Sequence, residues 1–247
     1  MISFCCGFYP WYREYDRSNE TFDVLIRGLN TMHGVEDTEL CLVSAAVMDV
    51  WRREYENPRS FNNEQFEEDI RKQFKGKVKY LLNESCINRD VTGTPRYWCS
   101  KSIDTAVKIS TNDYIMIVGI DCYITGYFMS DYFERVKNGE SWVLLSTGAN
   151  SVEDIEYIEA NQFKRFYYTA RGIVGMFKDD YYKIGGYDVN YLKDKSDSNF
   201  YLRLMESDLK VKEERVKNVY HVHHPGSHMG GASRLNKEGR TETCKFV

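Results

Sequence analysis

Short runs of consecutive apolar residues alternate with amphipathic stretches through the first half of the chain. Met1–Phe8 (MISFCCGF), Leu40–Ala46 (LCLVSAA), Val78–Leu82 and Tyr114–Gly119 (YIMIVG) are the apolar runs. Such runs suit strands covered on both faces. Between them Phe22, Leu25, Ile26 and Leu29 recur at helical spacing, with Ser18 or Asn19 placed to cap. Phe66, Ile70 and Phe74 mark a charged amphipathic helix that Gly76 terminates, and Ile103, Ala106 and Val107 mark a third. Strand and helix in strict alternation predict parallel strands joined by right-handed crossovers. The expected class is α/β, a mainly parallel central sheet flanked by helices on both faces. Ligands of such sheets bind outside the carboxyl ends of the strands.

The second half is less regular. Trp142–Ser146 reads as a strand and Ser151–Ala160 as a helix carrying Ile155 and Ile158. Phe166–Tyr168 and Ile173–Phe177 look extended. A short helix then ends at Gly185-Gly186, and another begins near Asp197 with Phe200 and Leu204 facing inward. Val219–His223 is the last predicted strand.

Composition narrows the function classes. The 247 residues hold 33 Lys and Arg against 37 Asp and Glu, a net charge of −4, which argues against affinity built on broad neutralisation of nucleic-acid phosphates. With 42% hydrophobic and 28% charged residues the chain has the makings of a packed core and not of a disordered segment. No apolar run approaches the roughly 18–20 residues of a membrane span. Met1–Phe8 lacks a basic leader and a small-residue cleavage site, so it reads as structure and not as a signal. Seven cysteines at irregular spacing, without a CxxC pair, imply a reducing compartment and a cytoplasmic location.

Three places carry candidate chemistry. Asp121 follows the most apolar strand, at the sheet edge where ligands bind, and a carboxylate there can hold a divalent cation that neutralises a diphosphate. Its plainer role is a turn or cap. In Gly172–Leu204, Gly185-Gly186 precede Tyr187 and Asp188 in a turn, and Asp197 stands at a helix start, as a general base or as an N-cap alone. Near the C-terminus, four of the five histidines (His221, His223, His224, His228) crowd together. On a strand His221 and His223 share a side and suit metal ligation, or stand solvated on an edge.

In this order and spacing the three pieces resemble nucleotide-sugar-dependent glycosyltransferases of the GT-A fold, nearest to glycosyltransferase family 2 and the related galactosyl- and N-acetylgalactosaminyltransferases. Gly119-Ile120-Asp121 looks like the family's Asp-x-Asp with its last acid kept and its first replaced by glycine. Gly185-Gly186-Tyr187-Asp188 looks like Gly-Gly-Phe/Tyr-Asp. Ser196-Asp197-Ser198-Asn199-Phe200-Tyr201-Leu202-Arg203 looks like Glu-Asp-x-Asp-Phe-x-x-Arg, with serine for the first glutamate. The second strand also lacks the aspartate that often binds the nucleoside.

The resemblance runs from the first strand to about Pro225. It implies a single GT-A, Rossmann-like domain over residues 1–247, with a nucleotide-sugar-binding half (1–125), an acceptor and catalytic half (126–228) and a C-terminal tail (229–247). It further implies transfer from a nucleotide-diphosphate sugar, a UDP-sugar in expectation, with Mn2+ or Mg2+ held by Asp121, His221 and His223. Arg17, Lys101, Asp104 and Gly119 fall on donor-contacting positions, and Gly186, Tyr187 and Asp188 on the acceptor side. Asp197 falls on the catalytic base, which implies inversion. Trp98, Tyr187 and Tyr191 are rings available for stacking. The acceptor hydroxyl belongs to a glycan, a small molecule or a modified DNA base. Two rivals remain. Gly119 and Ser196 favour a non-catalytic sugar or nucleotide binder. A sugar nucleotidyltransferase needs a Gly-rich basic loop after the first strand, where this chain has Gly7-Phe8-Tyr9-Pro10-Trp11.

Overall fold

The computed structural model describes residues 1–8, 18–44, 63–83, 87–89, 95–97, 99–124, 138–149, 155, 173–189 and 196–222. In chain order the elements are β1 (Ile2–Phe8), α1 (Ser18–Leu29), a 3-10 turn (Val35–Asp37), β2 (Glu39–Ser44), α2 (Asn63–Gln73), β3 (Lys77–Leu82), β4 (Ile87–Arg89), β5 (Pro95–Tyr97) and α3 (Cys99–Ile109). They continue as β6 (Tyr114–Ile117), β7 (Cys122–Ile124), β8 (Ser141–Ala149), β9 (Ile173–Phe177), α4 (Lys178–Lys183), α5 (Ser196–Met205) and β10 (Val211–Val222).

Eight strands form one sheet in the order β3-β2-β1-β6-β9-β8-β10-β7, and β4 and β5 pair separately. The four strands expected from the first half are mutually parallel, β1 lying between β2 and β6 and β3 outside β2. Alternation of side chains explains why they read as continuous apolar runs. Ile2, Phe4, Cys6, Leu40, Leu42 and Met116 enter one core with Leu25, Ile26 and Leu29 of α1 and Phe66 and Ile70 of α2. Cys5, Cys41, Val43, Ile115 and Ile117 enter a second core on the opposite face, with Ile103, Ala106 and Val107 of α3, Tyr181 of α4 and Phe200 and Leu204 of α5. Each fully buried Leu, Ile or Phe side chain contributes about 1.5–3 kcal/mol by leaving water, so truncation of Leu25 or Phe200 strikes one face selectively.

The irregular second half adds strands of both directions. β9 inserts antiparallel between β6 and β8, β8 and β10 pair in parallel, and β7 closes the sheet antiparallel to β10. The strand expected at Val219–His223 is the end of a much longer one, β10, with a register irregularity between Arg215 and Tyr220. The extended Phe166–Tyr168 lies outside the described residues, as does the Ser151–Ala160 helix apart from Ile155, which is buried.

At the amino edge of the parallel strands a buried carboxylate ties four segments. Glu39, opening β2, accepts hydrogen bonds from the Ser3 hydroxyl of β1 and from the backbone N–H and hydroxyl of Thr111 before β6. Lys79 of β3 lies 3.2 Å from it and also donates to the Ile109 carbonyl at the end of α3. Burial alone pushes the Glu39 carboxyl up, but the bonds from Ser3, Thr111 and Lys79 reverse that and hold it at about 2, against an ordinary 4.5.

Candidate functional site

The opposite, carboxyl edge gathers the candidate residues. β6 ends at Ile117, and the chain turns through Val118–Asp121 with the Cys122 N–H donating to the Gly119 carbonyl at 3.2 Å. It then re-enters the sheet as β7, whose register sets Cys122 opposite His221 of β10. Asp121, one residue earlier, therefore meets that histidine, and its Oδ2 lies 2.7 Å from His221 Nε2. His221 is buried, and Asp121 keeps 15% of its side chain exposed. Burial disfavours the imidazolium, yet the adjacent Asp121 charge and hydrogen bond outweigh it and set the His221 pKa above its ordinary value. Asp121 and His221, singled out in the sequence from different halves of the chain, are thus brought together.

Gly119 takes a packing role in this turn. A Cβ there would stand 2.5 Å from Asp121 Oδ1 and 3.4 Å from Cys122 Sγ. The carboxylate folds back over the bare glycine, so any side chain at this position requires the end of Asp121 to shift.

Asp197 forms a second pair. The sequence places it as a helix cap, but α5 already starts at Ser196, so Asp197 lies inside the first turn and does not cap. The helix N-terminus still favours a negative charge there. Topology fixes which edge it occupies. β10 begins at the amino edge, where Val211 pairs with Ser141, and α5 runs down to it through a short connection. The ten residues of α5 span about 15 Å, which puts Asp197 toward the carboxyl edge with Asp121.

The Tyr187 phenol donates to Asp197 Oδ1 at 3.0 Å. Asp197 is open to solvent yet walled by protein. That desolvation raises its pKa, and the Tyr187 hydrogen bond partly offsets the rise.

The loop that presents Tyr187 is gripped from two sides. Gly185 and Gly186 adopt left-handed φ of 83° and 58°, and a Cβ on Gly186 would meet the Tyr181 ring at 2.8 Å. Tyr181 of α4 accepts from the Tyr187 N–H at 3.0 Å and donates to Asp104 of α3 at 3.1 Å. From α5, Arg203 donates to the Ile184 and Gly186 carbonyls at 2.7 and 2.6 Å and to Asn199 Oδ1 at 3.0 Å.

Several of the expected positions have partners within the chain. Asp104 is engaged with Tyr181 and with Lys108 at 2.6 Å, so it braces α3 against α4. The Tyr187 ring is not a surface for a sugar, because it is buried and stacked on Phe200 at 4.5 Å and 11°. It reaches the site through its hydroxyl. The Gly186 carbonyl is spent on Arg203. Lys101 lies in the first turn of α3, half-buried, and Asp188 follows Tyr187 in the loop. Arg17, Trp98, Tyr191 and His223 lie outside the described residues. Tyr181 was not singled out in the sequence, and Arg203 stood there only as the closing arginine of the Ser196–Arg203 stretch; the tight turn between them makes their role visible.

The residues at the carboxyl edge fit a divalent cation. A carboxylate oxygen and an imidazole nitrogen converge on one spot, a donor pair suited to Mn2+ or Mg2+ that completes its shell from a diphosphate and water. Among the described residues no group of three or more His, Cys, Asp or Glu could hold a metal.

A parallel half-sheet carrying Asp121 at its carboxyl edge, joined to a mixed half that returns a histidine to it, defines the GT-A fold. The chain is similar in structure to TarS of S. aureus. To TarS 1-349 the TM-score is 0.59 at 11% identity, over 90% of this chain and 60% of that one. To the same protein in complex with UDP it is 0.59 at 12%, over 91% and 61%, and in complex with UDP-GlcNAc 0.60 at 13%, over 94% and 61%. The chain thus spans about three fifths of the TarS 1-349 chains, and at this identity the likeness carries the fold. No protein-family model matches the chain, and no curated protein matches it in sequence. Among the described residues no helix is long and apolar enough to cross a membrane.

Proposed function

We propose that this chain is a metal-dependent, inverting glycosyltransferase that moves a sugar from a UDP-sugar to an acceptor hydroxyl. The observation that carries the reading is the Asp121–His221 pair at the carboxyl edge of a fold whose TarS neighbours hold UDP and UDP-GlcNAc. Asp121 and His221 would hold Mn2+ or Mg2+, which when bound supplies positive charge to the departing diphosphate. Asp197 takes the acceptor proton as the hydroxyl attacks the anomeric carbon from the face opposite the leaving group. A pKa above the ordinary carboxylate value strengthens Asp197 for that task, and its exposure leaves room for the acceptor. The four buried cysteines among the described residues, Cys5, Cys6, Cys41 and Cys122, are all thiols, which supports a reducing, cytoplasmic setting.

The test is a thermal-shift screen of nucleotide sugars with and without manganese, followed by measurement of UDP release. The expected result is a rise in melting temperature with UDP-sugar and manganese together, and UDP release on turnover. Binding without any release would favour the non-catalytic binder, for which the glycine at position 119 argues. Equal binding and release in excess chelator would remove the metal from the reading.

A further inference from the structure

We propose that Tyr187 is a positioning residue for Asp197, its phenol fixing the carboxylate in the orientation from which it receives the acceptor proton. The inference rests on the reading of Asp197 as base and adds to it the residue that aims it.

Three observations converge on Tyr187. Its hydroxyl donates to Asp197 Oδ1 at 3.0 Å, leaving Oδ2 for another partner. The ring cannot swing away, because it is buried and stacked face to face on Phe200, three residues beyond Asp197 on the same helix. Its backbone is pinned as well, the N–H on the Tyr181 phenol and the preceding carbonyl on Arg203. Such fixing exceeds what a core tyrosine needs for packing, since a phenylalanine would make the same stack. A carboxylate in the first turn of a helix otherwise has more than one χ1 rotamer and a broad χ2, and a proton acceptor works only when its lone pair faces the incoming hydroxyl. The other charged groups on these two elements are Asp188, next in the loop, and Arg203, whose donors already serve Ile184, Gly186 and Asn199.

The experiment compares wild type with Tyr187→Phe, which keeps the ring and removes only the donor. Protein labelled with 13C at aspartate carboxyls reports the titration of Asp197 directly, assigned by its loss in Asp197→Asn. The expected result is displacement of that titration to higher pH in Tyr187→Phe, since a bond donated to the charged form is lost. In steady-state UDP release from UDP-GlcNAc with manganese, kcat should fall about tenfold with donor KM unchanged. An unmoved titration, or an unmoved kcat, overturns the inference. Failure of the functional reading shows elsewhere, as absence of UDP release in wild type with every nucleotide sugar, and the titration then still judges the contact.

Discussion

Glu39→Gln offers a test of the fold that is independent of any activity. The substitution keeps the shape of the side chain and removes its charge where four donors converge on it. The carboxylate is 2% exposed, so solvent does little to screen these contacts. Holding it at about 2 in the folded chain against an ordinary 4.5 corresponds to about 3 kcal/mol. The sign follows from the depressed folded value. The unfolded chain binds the proton first, so the contribution is complete above pH 4.5 and fades as pH falls from there toward 2. Urea unfolding of both proteins at a series of pH values measures it. At pH 7 the variant should be less stable by about 3 kcal/mol with an unchanged denaturant slope, and the two curves should approach one another below pH 4.5. A gap at pH 7 under about 1 kcal/mol, the level of a surface ion pair, or one that is undiminished at pH 3, where less than half of it should remain, refutes the reasoning.

Three further outcomes are expected. Asp197→Asn should lose about 10²- to 10⁴-fold in turnover with donor affinity little changed, and near-normal turnover in a folded variant would end the base assignment. Gly119→Ala should leave the melting temperature close to wild type, because the atom displaced is the end of the Asp121 side chain. It should abolish the manganese-dependent thermal shift with UDP, and retention of that shift would contradict the packing argument. Gly186→Ala meets both a left-handed backbone and the Tyr181 ring, so it should destabilise by roughly 1–3 kcal/mol in urea unfolding.

Much of the parallel half was legible because β1, β2 and β6 are covered on both faces and read as continuous apolar runs; β3 read the same way but is the edge strand, with Leu81 and Leu82 exposed. The mixed half was legible element by element but not in its pairing. Nothing in Ile173–Phe177 distinguishes a strand that runs antiparallel between β6 and β8 from one that runs parallel at an edge. Asp121 and His221 stood out by chemistry and by their place at strand ends, and the β7–β10 register joined them. Tyr187 drew notice as a stacking ring, but its actual contact depends on two left-handed glycines that fold its hydroxyl toward the next helix. Glu39 precedes the apolar run Leu40–Ala46, and nothing in the sequence around it marks it as buried. Its burial comes from donors on three other segments, which no local pattern reveals.

The closing of β7 against β10 has a consequence for how the molecule is assembled. Asp121 and His221 stand about a hundred residues apart in the chain, and the rungs between β7 and β10 are what align them. A contact of such sequence separation requires a long loop to close before it can form. The pair therefore comes into being only when one of the last strands docks beside a short one laid down far earlier. Any ligand that binds across the pair draws on that docking, and binding in turn holds the strand in place by mass action. Hydrogen exchange along Val219–Val222 should then slow when a UDP-sugar and manganese are added, so that the far end of β10 records occupancy at a site whose other residues come from a turn, a loop and a helix.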